Sequence, residues 1–106
     1  MRLILFFDLP VEKSAQRKAY RHFIKDIKTF GFYMVQKSVY VKMSIDMQAV
    51  NSTIEKIKKI SPKEGNISVL SITEKQFAGI EYILGENKTD VINSDNRIIE
   101  LWKLWK

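Results

Sequence analysis

The sequence has 106 residues, enough for one domain with a core of its own, and it contains no cysteine. The lack of cysteine excludes disulfides, zinc–thiolate sites and thiol catalysis. Basic residues outnumber acidic ones by 18 to 12, and the whole excess lies in residues 1–45, which hold nine basic and three acidic side chains. Such an excess favours a polyanionic partner such as nucleic acid. Because no apolar run is long enough for a signal peptide or a membrane span, we expect a cytoplasmic protein without a membrane partner.

The chain opens with a short apolar run over residues 2–8, closed by Leu9 and Pro10. An apolar run that ends at a proline turn predicts a strand at the centre of a sheet, buried on both faces. Strand alternation divides the side chains into one face with Leu3, Leu5 and Phe7 and another with Ile4, Phe6 and Asp8. A buried carboxylate without a partner is costly. Asp8 is therefore expected either to cap the turn at Pro10 or to lie at the rim and bind a cation.

A basic helix follows, predicted over residues 15–30 with Ser14 as its N-cap and Gly31 as its stop. Apolar residues at helical spacing form the buried stripe of this helix. The opposite side carries basic residues at a spacing of four, whose mutual repulsion favours an anionic partner. We predict that phosphates bind five side chains on or near this helix: Lys13, Arg17, Lys18, Arg21 and Lys37.

The middle of the chain predicts two strands, a helix and a fourth strand. The strands cover residues 32–35, 38–43 and 67–73, and the helix covers residues 47–60 after an N-cap at Asp46. A tight turn or bulge at Gln36 and Lys37 joins the second and third strands. Within the third strand, alternation places Val39, Val41 and Met43 toward the core and Ser38, Tyr40 and Lys42 away from it.

This order, βαββαβ, predicts an α+β, ferredoxin-like fold in which an antiparallel sheet carries both helices on one face. The whole chain, 1–106, is expected to form a single domain with its core in about residues 1–73. The other sheet face, with Ile4, Phe6 and Tyr40, is too apolar to remain exposed to water. A second copy of the chain is the simplest cover, so we predict a homodimer.

Residues 74–106 read as a C-terminal strand extension. We predict a short turn at 74–77, a fifth strand at 80–84, a polar loop at 85–96 and a further strand at 97–101. Trp102 and Trp105 lie in an amphiphilic tail and are expected to contact the partner subunit, another protein or the chain's own core.

Few catalytic groups are present besides Asp8. The sequence has one histidine, His22, and neither a glycine-rich phosphate loop nor a serine with a plausible base. Mg²⁺ binds one or two carboxylates together with water and phosphate oxygens. In a two-fold dimer, Asp8 and its symmetry mate could share Mg²⁺ or Mn²⁺ against a phosphodiester.

These residues resemble the CRISPR-associated protein 2 family. The similar segments are the strand that ends in Phe7-Asp8-Leu9-Pro10, the basic helix with Arg17-Lys18, the stretch from Gly31-Phe32 to Gln36-Lys37-Ser38-Val39-Tyr40, and the stretch from Gly65-Asn66-Ile67 to Thr73-Glu74-Lys75-Gln76-Phe77. The last stretch is most similar to members that accompany type II systems. The resemblance spans about residues 1–101 and rests on order and spacing.

The resemblance implies a homodimer that takes part in the acquisition of CRISPR spacers. Such a dimer bridges two dimers of the CRISPR-associated protein 1 integrase and holds double-stranded DNA. It also implies a possible metal-dependent endonuclease activity on RNA or DNA, with Asp8 as catalytic residue and metal ligand. The tail after Leu101 departs from the family pattern.

Three other functions stay open at this point. One is an RNA-binding module on a similar sheet, which Gly31-Phe32-Tyr33-Met34-Val35 imitates faintly. Another is a stand-alone ferredoxin-like ribonuclease toxin. The third is a small regulatory dimer that binds no nucleic acid. A neighbouring CRISPR array, or co-purification with an integrase, would separate them.

Overall fold

A computed structural model describes residues 1–85 of the chain. The elements follow one another as β1 (Arg2–Asp8), α1 (Ser14–Thr29), β2 (Tyr33–Gln36), β3 (Val39–Met43), α2 (Met47–Ile60), β4 (Asn66–Ile72) and α3 (Glu74–Ala78). Among these residues, no helix has the length and apolar character needed to cross a membrane.

The four strands form one antiparallel sheet in the order β2-β3-β1-β4. β1 is central, as predicted from its apolar run, and pairs with β3 on one side and β4 on the other. The βαββαβ order and the ferredoxin-like arrangement are confirmed. The turn at Lys37 and Ser38 joins β2 to β3, and the predicted bulge lies between Met34 and Gln36.

The core lies between the sheet and helices α1 and α2. Leu3, Leu5, Phe23, Ile27 and Val50 are at most 1% exposed. Burial of each such side chain contributes roughly 1.5–3 kcal/mol, so this layer supplies much of the stability of the fold. The predicted N-cap of α2 is confirmed: the carboxylate of Asp46 accepts a hydrogen bond of 2.9 Å from the amide of Ala49.

The prediction that Ser14 caps α1 is wrong, because the helix begins at Ser14 and Lys13 occupies the N-cap position. The side-chain oxygen of Gln16 accepts a 2.9 Å hydrogen bond from the amide of Lys13 and a 3.1 Å bond from the amide of Glu12. These two bonds bind the backbone donors just before the helix, so α1 starts one residue earlier than predicted.

The orientation predicted for β3 is also wrong. Leu5 lies opposite Tyr40 and Ile4 opposite Val41, and paired residues share a sheet face. Tyr40 is therefore buried on the helix side, with its ring centroid 5.7 Å from that of Phe7. Val41 instead packs with Ile4 on the other face. Alternation gave the correct period for β3 but the opposite assignment of its two faces.

After β4 the chain forms a short helix rather than the predicted turn. Thr73 caps α3, with its hydroxyl accepting a 3.0 Å hydrogen bond from the amide of Gln76. The fifth strand predicted at 80–84 is wrong for this chain, since these residues pair with no strand of its sheet. They follow α3 onto the sheet face opposite α1 and α2, where Ile80 and Tyr82 lie beside Phe6. The predicted strand at 97–101, the tryptophan tail and most of the polar loop lie outside the described residues.

Candidate carboxylate site and nucleic-acid interface

Asp8 is the last residue of the central strand, where its carboxylate is exposed. It lies on the face of β1 that also carries Ile4 and Phe6, as alternation predicted, and pairs with Asn66 at the start of β4. Within residues 1–85 the Asp8 carboxylate accepts no hydrogen bond and forms no ion pair. Of the two roles that the sequence left open, capping of the Pro10 turn is thus not observed, and a free carboxylate at the sheet rim is.

Two turns fix the backbone around Asp8. The carbonyl of Ser38 accepts a 3.1 Å hydrogen bond from the amide of Phe7, which ties the β2–β3 turn to the end of β1. On the β4 side, Gly65 packs so closely that a Cβ on it would lie 2.7 Å from the Asp8 carbonyl oxygen. Both turn residues have positive φ, +64° at Ser38 and +103° at Gly65. Sequence reasoning assigned neither to the site, although a glycine directly before a strand was a signal.

The described part of the chain contains no group of three or more His, Asp or Glu side chains that could hold a metal ion by itself. Asp8 nevertheless suits a shared site. Mg²⁺ needs only one or two carboxylates, because water and phosphate oxygens complete its octahedral shell. A free, exposed carboxylate at a rigid strand end has the chemistry of one such ligand, and a second copy of the chain would supply the other.

The five predicted phosphate ligands are all exposed, but they do not form one uniform patch. Arg17 is the member held by the protein itself: its guanidinium donates to the carbonyls of Val11 and Glu12, at 3.2 and 2.7 Å. Lys18 and Arg21 make no hydrogen bond or ion pair within residues 1–85. Lys37 is in the β2–β3 turn, so it lies at the Asp8 end of the sheet.

An apolar surface remains on the sheet face opposite α1 and α2, which we call the open face. Phe6 is 40% exposed there and Leu70 53%, although Ile4 and Val41 are buried. The chain covers part of this face itself, because Phe77 of α3 packs against Ile4 and Val41. The open face therefore extends to Asp8 but contains Val39 and Val41 in place of the predicted Tyr40.

Arg2 attaches α3 to the far end of the open face. Its guanidinium donates 2.7 Å to the Glu74 carboxylate and 2.6 Å to the Tyr33 hydroxyl, and lies 4.4 Å from the centroid of the Phe77 ring. The hydrogen bond from Arg2 lowers the pKa of the Glu74 carboxyl. The sequence gave no sign of this contact, since 72 positions separate the two residues.

The comparisons with known proteins agree on one family. The family model described as CRISPR associated protein Cas2 matches residues 1–80. A Streptococcus mutans protein named CRISPR-associated endoribonuclease Cas2 is 46% identical over 101 residues, which cover 95% of this chain and 93% of that protein. A Treponema denticola protein of the same name is 45% identical over 101 residues, covering 95% of this chain and all of that protein.

A solved structure agrees with the fold. The crystal structure of Streptococcus pyogenes Cas2 at pH 6.5 superposes with a TM-score of 0.61, covering 80% of this chain and 100% of that one, at 24% identity. The family match spans most of the sequence, and the relatives match almost from end to end. From these matches and its four-stranded ferredoxin-like fold, the chain belongs to the CRISPR associated protein Cas2 family.

Proposed function

We propose that this chain is a homodimeric, DNA-binding scaffold of CRISPR adaptation, which bridges dimers of the CRISPR-associated protein 1 integrase and holds a prespacer duplex during spacer acquisition. One observation carries the proposal: a free carboxylate, Asp8, lies at the end of an exposed apolar face that includes Phe6 and Leu70. A second copy on that face removes apolar surface from water and brings two Asp8 carboxylates to one interface.

The basic residues are the expected duplex contacts. Lys18, Arg21 and Lys37 are exposed and have no acidic partner within residues 1–85, so their charges are available to phosphates. Lys13 and Arg17 stand at the start of α1, on the chain segment that follows Asp8. Phosphate contacts of this kind position a duplex without reading its sequence, which suits a scaffold that accepts many spacers.

A second candidate activity is metal-dependent hydrolysis of RNA or DNA, favoured by the exposure of Asp8 and by the endoribonuclease name of the relatives. The two Asp8 side chains of a dimer would hold Mg²⁺ or Mn²⁺. A bound divalent ion activates water and stabilises the leaving oxygen of a phosphodiester. The protein's own part is to keep both carboxylates at fixed strand ends, through the Ser38 and Gly65 turns.

Two variants separate the scaffold from the hydrolase. Lys18→Glu with Arg21→Glu removes two phosphate contacts without disturbing the loop that Arg17 holds. We expect the salt slope of duplex binding to fall by about two units and spacer acquisition to be lost. Lys58→Glu with Lys59→Glu makes the same charge change on α2 and serves as the control. Normal duplex binding by the α1 variant would show that the basic helix is only a solvated surface.

Asp8→Ala tests the carboxylate. We expect it to abolish cleavage with Mg²⁺ or Mn²⁺ while DNA binding and acquisition remain, because the scaffold role needs no metal. Both readouts are to be taken on purified protein of known oligomeric state, together with an acquisition assay in cells. If Asp8→Ala removes acquisition from a folded, dimeric, DNA-bound protein, Asp8 is catalytic in the pathway and the scaffold proposal is wrong.

A further inference from the structure

A groove runs along α1 on the side away from the Pro62 loop. It has a volume of about 340 Å³ and is lined by Tyr20, Arg21, Ile24, Lys25 and Lys28. Tyr20 and Ile24 are half-buried and form its floor, whereas the three basic side chains are exposed at its rim. No acidic side chain is among these five residues. We call this feature the α1 groove.

The floor of the α1 groove is held rigidly from behind. The Tyr20 ring lies 6.2 Å from the Phe7 ring, which in turn lies 5.3 Å from Phe23 and 5.7 Å from Tyr40. Burial, and to a lesser degree the neighbouring Tyr20, raises the pKa of the Tyr40 hydroxyl, as expected where the two phenols approach each other. An aromatic edge fixed in this way can receive a planar ligand with little loss of side-chain freedom.

The rim charges are not neutralised by the protein. Within residues 1–85, Arg21, Lys25 and Lys28 form no ion pair and no side-chain hydrogen bond. An apolar and aromatic floor bordered by three free cations is suited to a ligand with a flat ring and an attached phosphate. A nucleotide has both parts: the base would meet Tyr20 and Ile24 while its phosphates reach the cations.

We propose that the α1 groove binds an unpaired nucleotide of single-stranded nucleic acid. This inference rests on the proposed nucleic-acid binding and adds a preference to it. In a duplex the base faces are stacked inside the helix, so only phosphates can reach α1, and the apolar floor stays unused. In a single strand the bases are free to turn toward an aromatic surface. The groove therefore favours single strands or frayed ends over blunt duplex.

The test uses purified full-length protein in EDTA, so that no metal-dependent cleavage occurs. The probes are a DNA strand of about 12 nucleotides with a central 2-aminopurine, an RNA strand of the same sequence, and the blunt duplex. Fluorescence anisotropy gives the affinity, and 2-aminopurine quenching reports stacking. The variants are Tyr20→Leu, Tyr20→Phe and Lys25→Glu with Lys28→Glu. Lys58→Glu with Lys59→Glu is the charge-matched control on α2.

We expect Tyr20→Leu to weaken single-strand binding by about five- to ten-fold and to abolish quenching, with duplex binding changed by less than about two-fold. Tyr20→Phe keeps the ring and should behave like the wild type. The Lys25/Lys28 variant, whose substitutions are exposed and spare the core, should weaken single-strand binding by at least about ten-fold and more than duplex binding. The α2 control should leave the preference unchanged.

Two outcomes would overturn the inference. One is a wild-type protein that binds duplex but shows neither single-strand binding nor quenching, which would leave the proposed scaffold role intact. The other is a Lys25/Lys28 variant that loses single-strand and duplex affinity equally. A wild-type protein that binds neither probe contradicts the proposed function itself, and the inference with it.

Discussion

At the scale of single residues, the candidate site depends on two turns as much as on its carboxylate. Asp8 is exposed and makes no contact that would fix its side chain within the described residues. Its position is therefore set by the backbone, through the Phe7–Ser38 hydrogen bond on one side and the close approach of Gly65 on the other. Both turns adopt a left-handed conformation that costs most side chains about 1–2 kcal/mol.

Gly65→Ala tests this arrangement. A Cβ at Gly65 would meet the Asp8 carbonyl oxygen at 2.7 Å and Leu9 Cδ2 at 2.8 Å, besides the backbone cost of a φ of +103°. We expect a loss of about 1–3 kcal/mol in the free energy of unfolding, and weaker metal-dependent cleavage in any assay where the wild type cleaves. Chemical denaturation and a cleavage assay measure the two effects.

Gly85→Ala is the matched control for that variant. Gly85 has a similar φ of +97°, but a Cβ there would have no atom within 4 Å. It should therefore show the backbone cost of about 1 kcal/mol alone and leave cleavage unchanged. Equal losses of stability in the two variants would show that the contact between Gly65 and the Asp8 backbone has no effect.

At the scale of elements, the open face is shaped by α3. This helix has five residues and is too short to be stable alone, so its contacts with the sheet hold it in place. Phe77 is 7% exposed and covers Ile4 and Val41, while Arg2 joins Glu74 and Tyr33 around it. The buried guanidinium thus links both ends of the described chain, and α3 limits how much apolar surface a partner can cover.

The Arg2–Glu74 contact should make stability depend on pH. Arg2 lowers the pKa of Glu74 in the folded state, so the contact stabilises the protein above the unfolded pKa of about 4.3. The contribution is lost as the pH falls through the lower, folded-state pKa. Because Glu74 is half-exposed, solvent screening keeps the effect small.

Urea unfolding of wild type and Glu74→Gln, at pH 6 and at pH 3, measures this loss. The other carboxyl groups titrate in both proteins, so the difference between them isolates Glu74. We expect the stability gap between wild type and variant to be larger at pH 6 than at pH 3. A gap that is the same at both pH values would mean that the ion pair contributes nothing to folding.

At the scale of the whole molecule, the open face is the surface that most needs a partner. Phe6 and Leu70 are 40% and 53% exposed on neighbouring strands, and Ile83 and Leu84, which follow α3, are 90% and 94% exposed. Exposed apolar side chains that lie together mark interaction surfaces in folded proteins. The homodimer remains a proposal, and its test is the oligomeric state of the full chain.

Sedimentation at micromolar concentration should give a mass of about twice 12.4 kDa. Leu70→Lys should shift the protein toward monomer, because it places a charge in the centre of the proposed interface. Ile45→Lys, at a residue that is 90% exposed just before α2, is the matched control and should leave the mass unchanged. A well-folded wild-type monomer would contradict both the dimer and the shared Asp8 metal site.

The C-terminal tail offers a separate test. Two tryptophans close together in a polar tail are expected to bury their rings against another surface. Deletion of residues 97–106, which include Trp102 and Trp105, should weaken dimerisation or integrase binding while the core stays folded. Unchanged sedimentation and unchanged complex formation would show that the tail has no part in assembly.

The sequence by itself determined the order of the elements, their approximate bounds and the identity of the central strand. It also placed Asp8 on the face opposite Leu3, Leu5 and Phe7. These features depend on local physics: periods of 2 and 3.6, a proline stop and an aspartate cap act within a few residues. The basic side of α1 was legible for the same reason, because charges four residues apart share a helix face.

Only the tertiary structure decided which face of β3 meets the helices, since alternation fixes the period of a strand but not its register against β1. Tyr40 is buried because it lies opposite Leu5, and a shift of one residue would have exposed it. The same holds for the Arg2–Glu74 contact, the packing of Gly65 against Asp8 and the α1 groove backed by Phe7. Each joins residues far apart in the chain, and such contacts exist only after the sheet has assembled.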